Sequence, residues 1–169
     1  MKIALCGSGK IEDQETANAA KTIGREIAKR KHILITGGGA GYPYFAVRGA
    51  FIEHGSIIAY SPAKDEEEHK NTYRFPIGEF SEIAYTGLGV PGRNMEVIKN
   101  ADAVIILDGK VGTLNEFTIA LQLKKRIGIL KGRGITKLIP DIAKIIGNNN
   151  NIIYEQDPKK LIERLTLIR

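Results

Sequence analysis

Short runs of β-branched and apolar residues alternate with stretches of helical periodicity along almost the whole chain, and this rhythm restricts the fold more than any other feature. Strands separated by helices cannot pair as hairpins. They lie parallel, and a parallel sheet needs helices over both of its faces. The runs read as strands are 2–6, 33–36, 57–60, 82–85, 103–107, 127–130 and 152–154. Between the first two, Ala17, Ala20, Gly24, Ile27 and Ala28 recur at helical spacing and predict one buried helix face. Further helices are expected at 42–54, 92–100, 114–125 and 158–168, the last capped by Asp157 with Pro158 at its first position. The stretch 136–146 also reads as helical, with Pro140 starting, kinking or ending it. The fold class is therefore α/β: one doubly wound, Rossmann-like parallel sheet of about seven strands with helices on both faces.

The chain has 169 residues, which predicts one domain over 1–169. No apolar run approaches the roughly 20 residues that span a bilayer, and the first strand is too short for a signal peptide. A cytoplasmic protein without a membrane partner is the expectation. Cys6 is the single cysteine and reads as a packed strand-end residue, since a nucleophilic thiolate needs a basic partner. His32, His54 and His69 are not spaced with Cys, Asp or Glu as a metal site, so no metal is expected. The net charge of +6 favours anionic ligands. Its basic clusters, 25–31 and 124–133, read as solvated helix faces, and no aromatic-interleaved basic stripe is present to stack single-stranded bases.

Ligands of open parallel sheets bind beyond the carboxyl ends of the strands, where the strand order reverses. Four such exits are unusual: Gly7-Ser8-Gly9-Lys10, Gly37-Gly38-Gly39-Ala40-Gly41, 87–94 and 108–116. Glycines let a ligand approach the main chain, and a helix start just beyond them offers free N–H groups to an anion. A phosphate-bearing small molecule is the expected ligand. Two familiar phosphate motifs fail residue by residue. A P-loop ending in Gly9-Lys10 needs glycine where Ala4 stands and Ser or Thr where Ile11 stands, and the dinucleotide fingerprint needs glycine at Glu12. Two other segments depart from the alternation. The charged excursion 61–80, broken by Pro62 and Pro76, reads as an exposed loop or a lid, and 148–151 reads as a turn-rich loop.

The run Val90-Pro91-Gly92-Arg93-Asn94, followed by strand 103–107 and Asp108-Gly109-Lys110-Val111-Gly112-Thr113-Leu114-Asn115-Glu116, resembles the lysine-decarboxylase-like or LOG family of the SLOG superfamily. That group also includes molybdenum-cofactor carriers and the DprA core. Thr36-Gly37-Gly38-Gly39 is similar to the family's strand–glycine loop, Arg93 to its helix arginine, and Gly112-Thr113-x-x-Glu116 to its G-T-x-x-E. The resemblance implies a nucleoside 5′-monophosphate phosphoribohydrolase releasing free base and ribose 5-phosphate, with Arg93 and Glu116 catalytic. The glycine-rich strand exits, together with this resemblance, predict a phosphate or nucleotide site at Gly7, Ser8, Gly37, Gly38, Gly39, Asn94, Gly109, Lys110, Gly112 and Thr113. No cofactor is required by that reaction, and a homodimer or higher even oligomer is expected.

Three positions depart from the hydrolase pattern. Asp108-Gly109-Lys110 stands in place of Pro-Gly-Gly, and Asn94 replaces the lysine after the helix arginine. They keep open a non-catalytic carrier or sensor of a nucleotide or the molybdenum cofactor, with single-stranded DNA binding ranked below it. Individual residues also carry plainer readings. Thr113 and Glu116 have the spacing of a capping box, Arg93 of an exposed helix charge or an anion partner, Lys110 of a loop lysine, and Asp102 of a turn or cap before the fifth strand.

Overall fold

The computed structural model describes residues 1–132, 134–147 and 151–167. Within them, seven strands form one parallel sheet: β1 (Lys2–Cys6), β2 (Ile33–Thr36), β3 (Ile57–Ser61), β4 (Glu82–Tyr85), β5 (Ala103–Ile106), β6 (Arg126–Leu130) and β7 (Ile152–Glu155). Their order is β4-β3-β2-β1-β5-β6-β7. Chain order runs outward from β1 to β4, then returns to the middle and runs the other way. The reversal lies between β1 and β5, with Ala4 opposite Ile35 on one side and Val104 on the other.

Successive strand residues point to opposite faces, so a strand covered on both sides must be apolar throughout. Ile3 and Leu5 join Leu34, Ile57 and Ile105 under α1 (Gln14–Lys29), α2 (Tyr42–Ile52) and α7 (Pro158–Thr166). Ala4 and Cys6 join Ile35, Val104 and Ile106 under α4 (Gly89–Lys99), α5 (Val111–Gln122) and α6 (Ile139–Ile145). The residues expected to line the α1 core face, Ala17, Ala20, Gly24, Ile27 and Ala28, are all buried. Two glycines let α1 and α2 touch backbone to backbone. A Cβ on Gly24 would overlap the Ala46 carbonyl, and one on Gly49 the Lys21 carbonyl.

Asp13 caps α1 by accepting from the Thr16 N–H at 2.8 Å, and Asp157 caps α7 by accepting from the Lys159 and Lys160 N–H groups. Asp102 accepts the Lys2 N–H at 2.7 Å, which ties the start of β5 to the start of β1. The stretch 136–146 is a 3₁₀ turn, Gly134–Lys137, followed by α6, whose first turn contains Pro140. Two helix starts differ from expectation in a way that matters for the site: α4 begins at Gly89 rather than 92, and α5 at Val111 rather than 114. Three expectations fall outside the described residues: most of the loop 148–151, the end of the basic cluster at Arg133, and the end of the last helix at Ile168. No helix among the described residues is long and apolar enough to cross a membrane.

Candidate functional site

At the reversal point the exits of β1, β2 and β5 surround a cleft of about 320 Å³. Its floor is fixed by main-chain bonds between loops distant in sequence. The Ser8 N–H donates to the Asp108 carbonyl at 2.7 Å, and the Tyr42 N–H donates to the Ser8 carbonyl at 3.0 Å. The fully buried Tyr42 then returns its hydroxyl to accept the Glu12 and Asp13 N–H groups. Gly41 takes positive φ where a Cβ would strike Ser8 and Gly9, so the second glycine loop closes directly onto the first.

One wall is the N-terminus of α5. Because the helix starts at Val111, the N–H groups of Val111, Gly112 and Thr113 precede its first intrahelical bond, from Leu114 to the Lys110 carbonyl. Thr113 is therefore inside the first turn and Glu116 lies beyond it. The capping-box reading of this pair is corrected: neither side chain caps the helix, and α5 has no side-chain cap. Thr113 instead packs over Gly109, where a Cβ would overlap its hydroxyl. Lys110 is exposed at the rim and pairs with Glu12 at 3.0 Å.

Behind that wall lies a cluster from three elements. Arg93 of α4 faces Glu116 of α5, Nη1 to Oε1 at 3.6 Å, with side chains only 10% and 9% exposed. At that separation the two charges attract without a good hydrogen bond. Among the described residues, Arg93 Nε has no hydrogen-bond partner. Burial draws the guanidinium below its ordinary pKa, opposed by Glu116. Burial also pushes Glu116 up to about 7, with Arg93 and a hydrogen bond from the Cys6 thiol pulling the other way. Cys6 itself is raised, first by burial and then by the neighbouring Glu116 charge, which fits a packed thiol. The plainer exposed-charge reading of Arg93 is thereby overturned, in favour of the anion-partner reading, with Glu116 as its neighbour. Asn94, one residue on, donates to Asn115 at 2.9 Å and joins α4 to α5.

The three consecutive glycines each face a side chain. A Cβ on Gly37 would overlap the Arg93 guanidinium, one on Gly38 would approach the His69 ring, and one on Gly39 would press on the Phe75 ring at 3.1 Å. Close approach accounts for Gly37 and Gly39 directly, and Gly38 takes a positive φ. Of the residues assigned to the site by sequence, Gly7, Ser8, Gly37, Gly39, Asn94, Lys110, Gly112 and Thr113 line the cleft together with Arg93 and Glu116. Gly38 and Gly109 do not. Gly38 turns toward Ala59 and His69, and Gly109 lines a smaller depression with Asp108 and Gly134.

Sequence reasoning missed the contribution of 61–80. This segment is not a free excursion: it contains α3 (Glu66–Asn71), and its anchor, His69, is fully buried. His69 Nδ1 lies 2.7 Å from Ser61 Oγ and Nε2 lies 3.0 Å from the Pro76 carbonyl. A carbonyl only accepts, so Nε2 carries a proton, and in the neutral ring Nδ1 accepts from Ser61. This clamp sets Phe75 against the second glycine loop as part of the cleft wall. The available signal was His69 and three aromatic residues, Tyr73, Phe75 and Phe80, inside a charged, proline-broken stretch. Among the described residues no cluster of three or more His, Cys, Asp or Glu is placed to hold a metal ion.

The model of the SLOG cluster4 family matches residues 1–162. The chain belongs to that family. An uncharacterized protein of Archaeoglobus fulgidus is 33% identical over 132 residues, 78% of this chain and 80% of its own. Among solved structures, the molybdenum cofactor binding protein from Rippkaea orientalis superposes with a TM-score of 0.83 at 25% identity, covering 97% of this chain and 94% of that one. The molybdenum cofactor carrier protein from Chlamydomonas reinhardtii gives a TM-score of 0.78 at 21% identity, covering 97% of each chain, and shows the same fold.

Proposed function

We propose that this protein binds a phosphate-bearing small molecule of mononucleotide or phosphorylated-pterin class in the cleft between β1, β2 and β5, and holds it without cleaving it. The observation that carries this reading is Arg93: a buried guanidinium on the cleft, loosely paired at 3.6 Å and with an unpartnered Nε, beside the α5 N-terminus. Free helix N–H groups and a fixed cation together make a favourable setting for an oxyanion. Lys110 at the rim, paired with Glu12, adds a second cation. The relatives described as binding or carrying the molybdenum cofactor support a small-molecule ligand in this cleft.

Holding without cleavage follows from how Glu116 is occupied. Its carboxylate sits at the back of the cleft, only 9% exposed and engaged between Arg93 and the Cys6 thiol, and Asn94 is engaged with Asn115. A group stabilising positive charge at a ribosyl centre has to face it. One observation favours the alternative, phosphoribohydrolase reading: a carboxyl near pKa 7 is poised for proton transfer at neutral pH. Calorimetric binding of guanosine 5′-monophosphate, run beside a chromatographic assay for free guanine, separates the two. Micromolar to millimolar binding with no guanine released over hours is the expected result. Turnover abolished by Glu116→Gln would establish the hydrolase instead, and no binding at all would refute both.

A further inference from the structure

We propose that Phe75 is the specificity-determining residue of this cleft, the surface against which the planar heterocyclic ring of the ligand lies. The inference rests on the phosphate-ligand reading above and adds what the rest of the ligand must be. Among the described residues lining the cleft, Phe75 carries the sole aromatic ring. It stands on the β2 side, its ring tip on Gly39, while the free N–H groups of α5 stand on the β5 side. One strand, β1, separates the two, so the sites are about two strand spacings, roughly 10 Å, apart. One sugar phosphate bridges that span between an anchored phosphate and a ring.

The position of Phe75 is built, not incidental. His69 meets its ring edge-on at 5.5 Å, and Tyr73 lies tilted against it at 5.5 Å. His69 is itself held from both ring nitrogens, by Ser61 and by the carbonyl of Pro76, the residue after Phe75. The backbone carrying the ring is thus tied down immediately beside it. A rigid aromatic wall costs little ordering on binding, and base-on-aromatic stacking is tolerant of base identity, so the cleft selects for a flat ring system rather than for one base. The 320 Å³ volume lies at the small end of ligand sites, which suits one heterocycle with one phosphate.

The test compares guanosine 5′-monophosphate, whose ring shares the amino-oxo edge of a pterin, with ribose 5-phosphate, which has no ring base. Wild type is expected to bind the nucleotide at least about tenfold more tightly than the sugar phosphate. Phe75→Leu keeps apolar bulk but removes the π face, and should bring the two affinities within about threefold by weakening the nucleotide alone. Phe75→Trp should restore the preference. A Phe75→Leu protein with wild-type preference overturns the proposal while leaving the phosphate site intact. Equal loss of both ligands in Phe75→Leu, with an unchanged thermal midpoint, also overturns it by showing that the ring shapes the cleft only. Wild-type protein that binds neither probe refutes the phosphate reading and this inference with it.

Discussion

The Arg93–Glu116 pair makes a forecast about stability that is independent of any ligand. Burial raises Glu116 to about 7 from an ordinary 4.5, even with Arg93 at 3.6 Å. A carboxyl raised on folding binds more protons in the native state than in the unfolded state throughout that interval, so stability falls as pH rises through it. Below the ordinary value both states are protonated and the cost is absent; above about 7 it is complete. The full shift corresponds to on the order of 3 kcal/mol, most of it between pH 5 and pH 8. For a chain of this length that is about 5–10 °C in Tm. Glutamine at this position cannot titrate. The assay is urea denaturation of wild type and Glu116→Gln at half-unit steps from pH 5 to pH 8, compared as the difference between the two proteins. That difference should move toward the variant by roughly 2–3 kcal/mol as pH rises. Parallel profiles would refute the reasoning, because they would mean that Arg93 keeps the carboxylate ionised in both states.

Two further outcomes follow from the same cluster. Cys6 is 1% exposed and its thiol is raised by burial, so a disulfide reagent at pH 8 should find no thiol in the native protein and one per chain in denaturant; rapid native labelling would contradict the packed-thiol assignment. Gly37→Ala places a methyl into the Arg93 guanidinium and should cost about 3 kcal/mol in chemical denaturation by dislodging a buried ion, whereas a cost under about 0.5 kcal/mol would show that the arginine moves aside freely.

The strands and the faces of the helices were legible in the sequence because they depend on local periodicity. Ile3 and Leu5 against Ala4 and Cys6, or Ala17, Ala20 and Ile27 along α1, express a pattern that neighbouring residues carry among themselves. That the β1, β2 and β5 exits meet at the carboxyl edge, where the candidate cleft lies, was legible too, since parallel topology alone puts them together. Helix starts were less so. Lys110 and Val111 carry no capping signature, and α5 therefore begins before the threonine that looked like its cap.

The chemistry of the site was decided only when the chain closed on itself. Arg93 and Glu116 stand on different helices, and Cys6 enters the cluster from a strand at the far end of the sequence. Their pKa directions come from shared burial, which no local pattern encodes. The glycine run shows the same division. Its composition announces close approach by something, and the sequence alone is equally compatible with a phosphate or a side chain. Tertiary packing puts Arg93, His69 and Phe75 against those three backbones, because a glycine has no Cβ to exclude whichever group the fold delivers there.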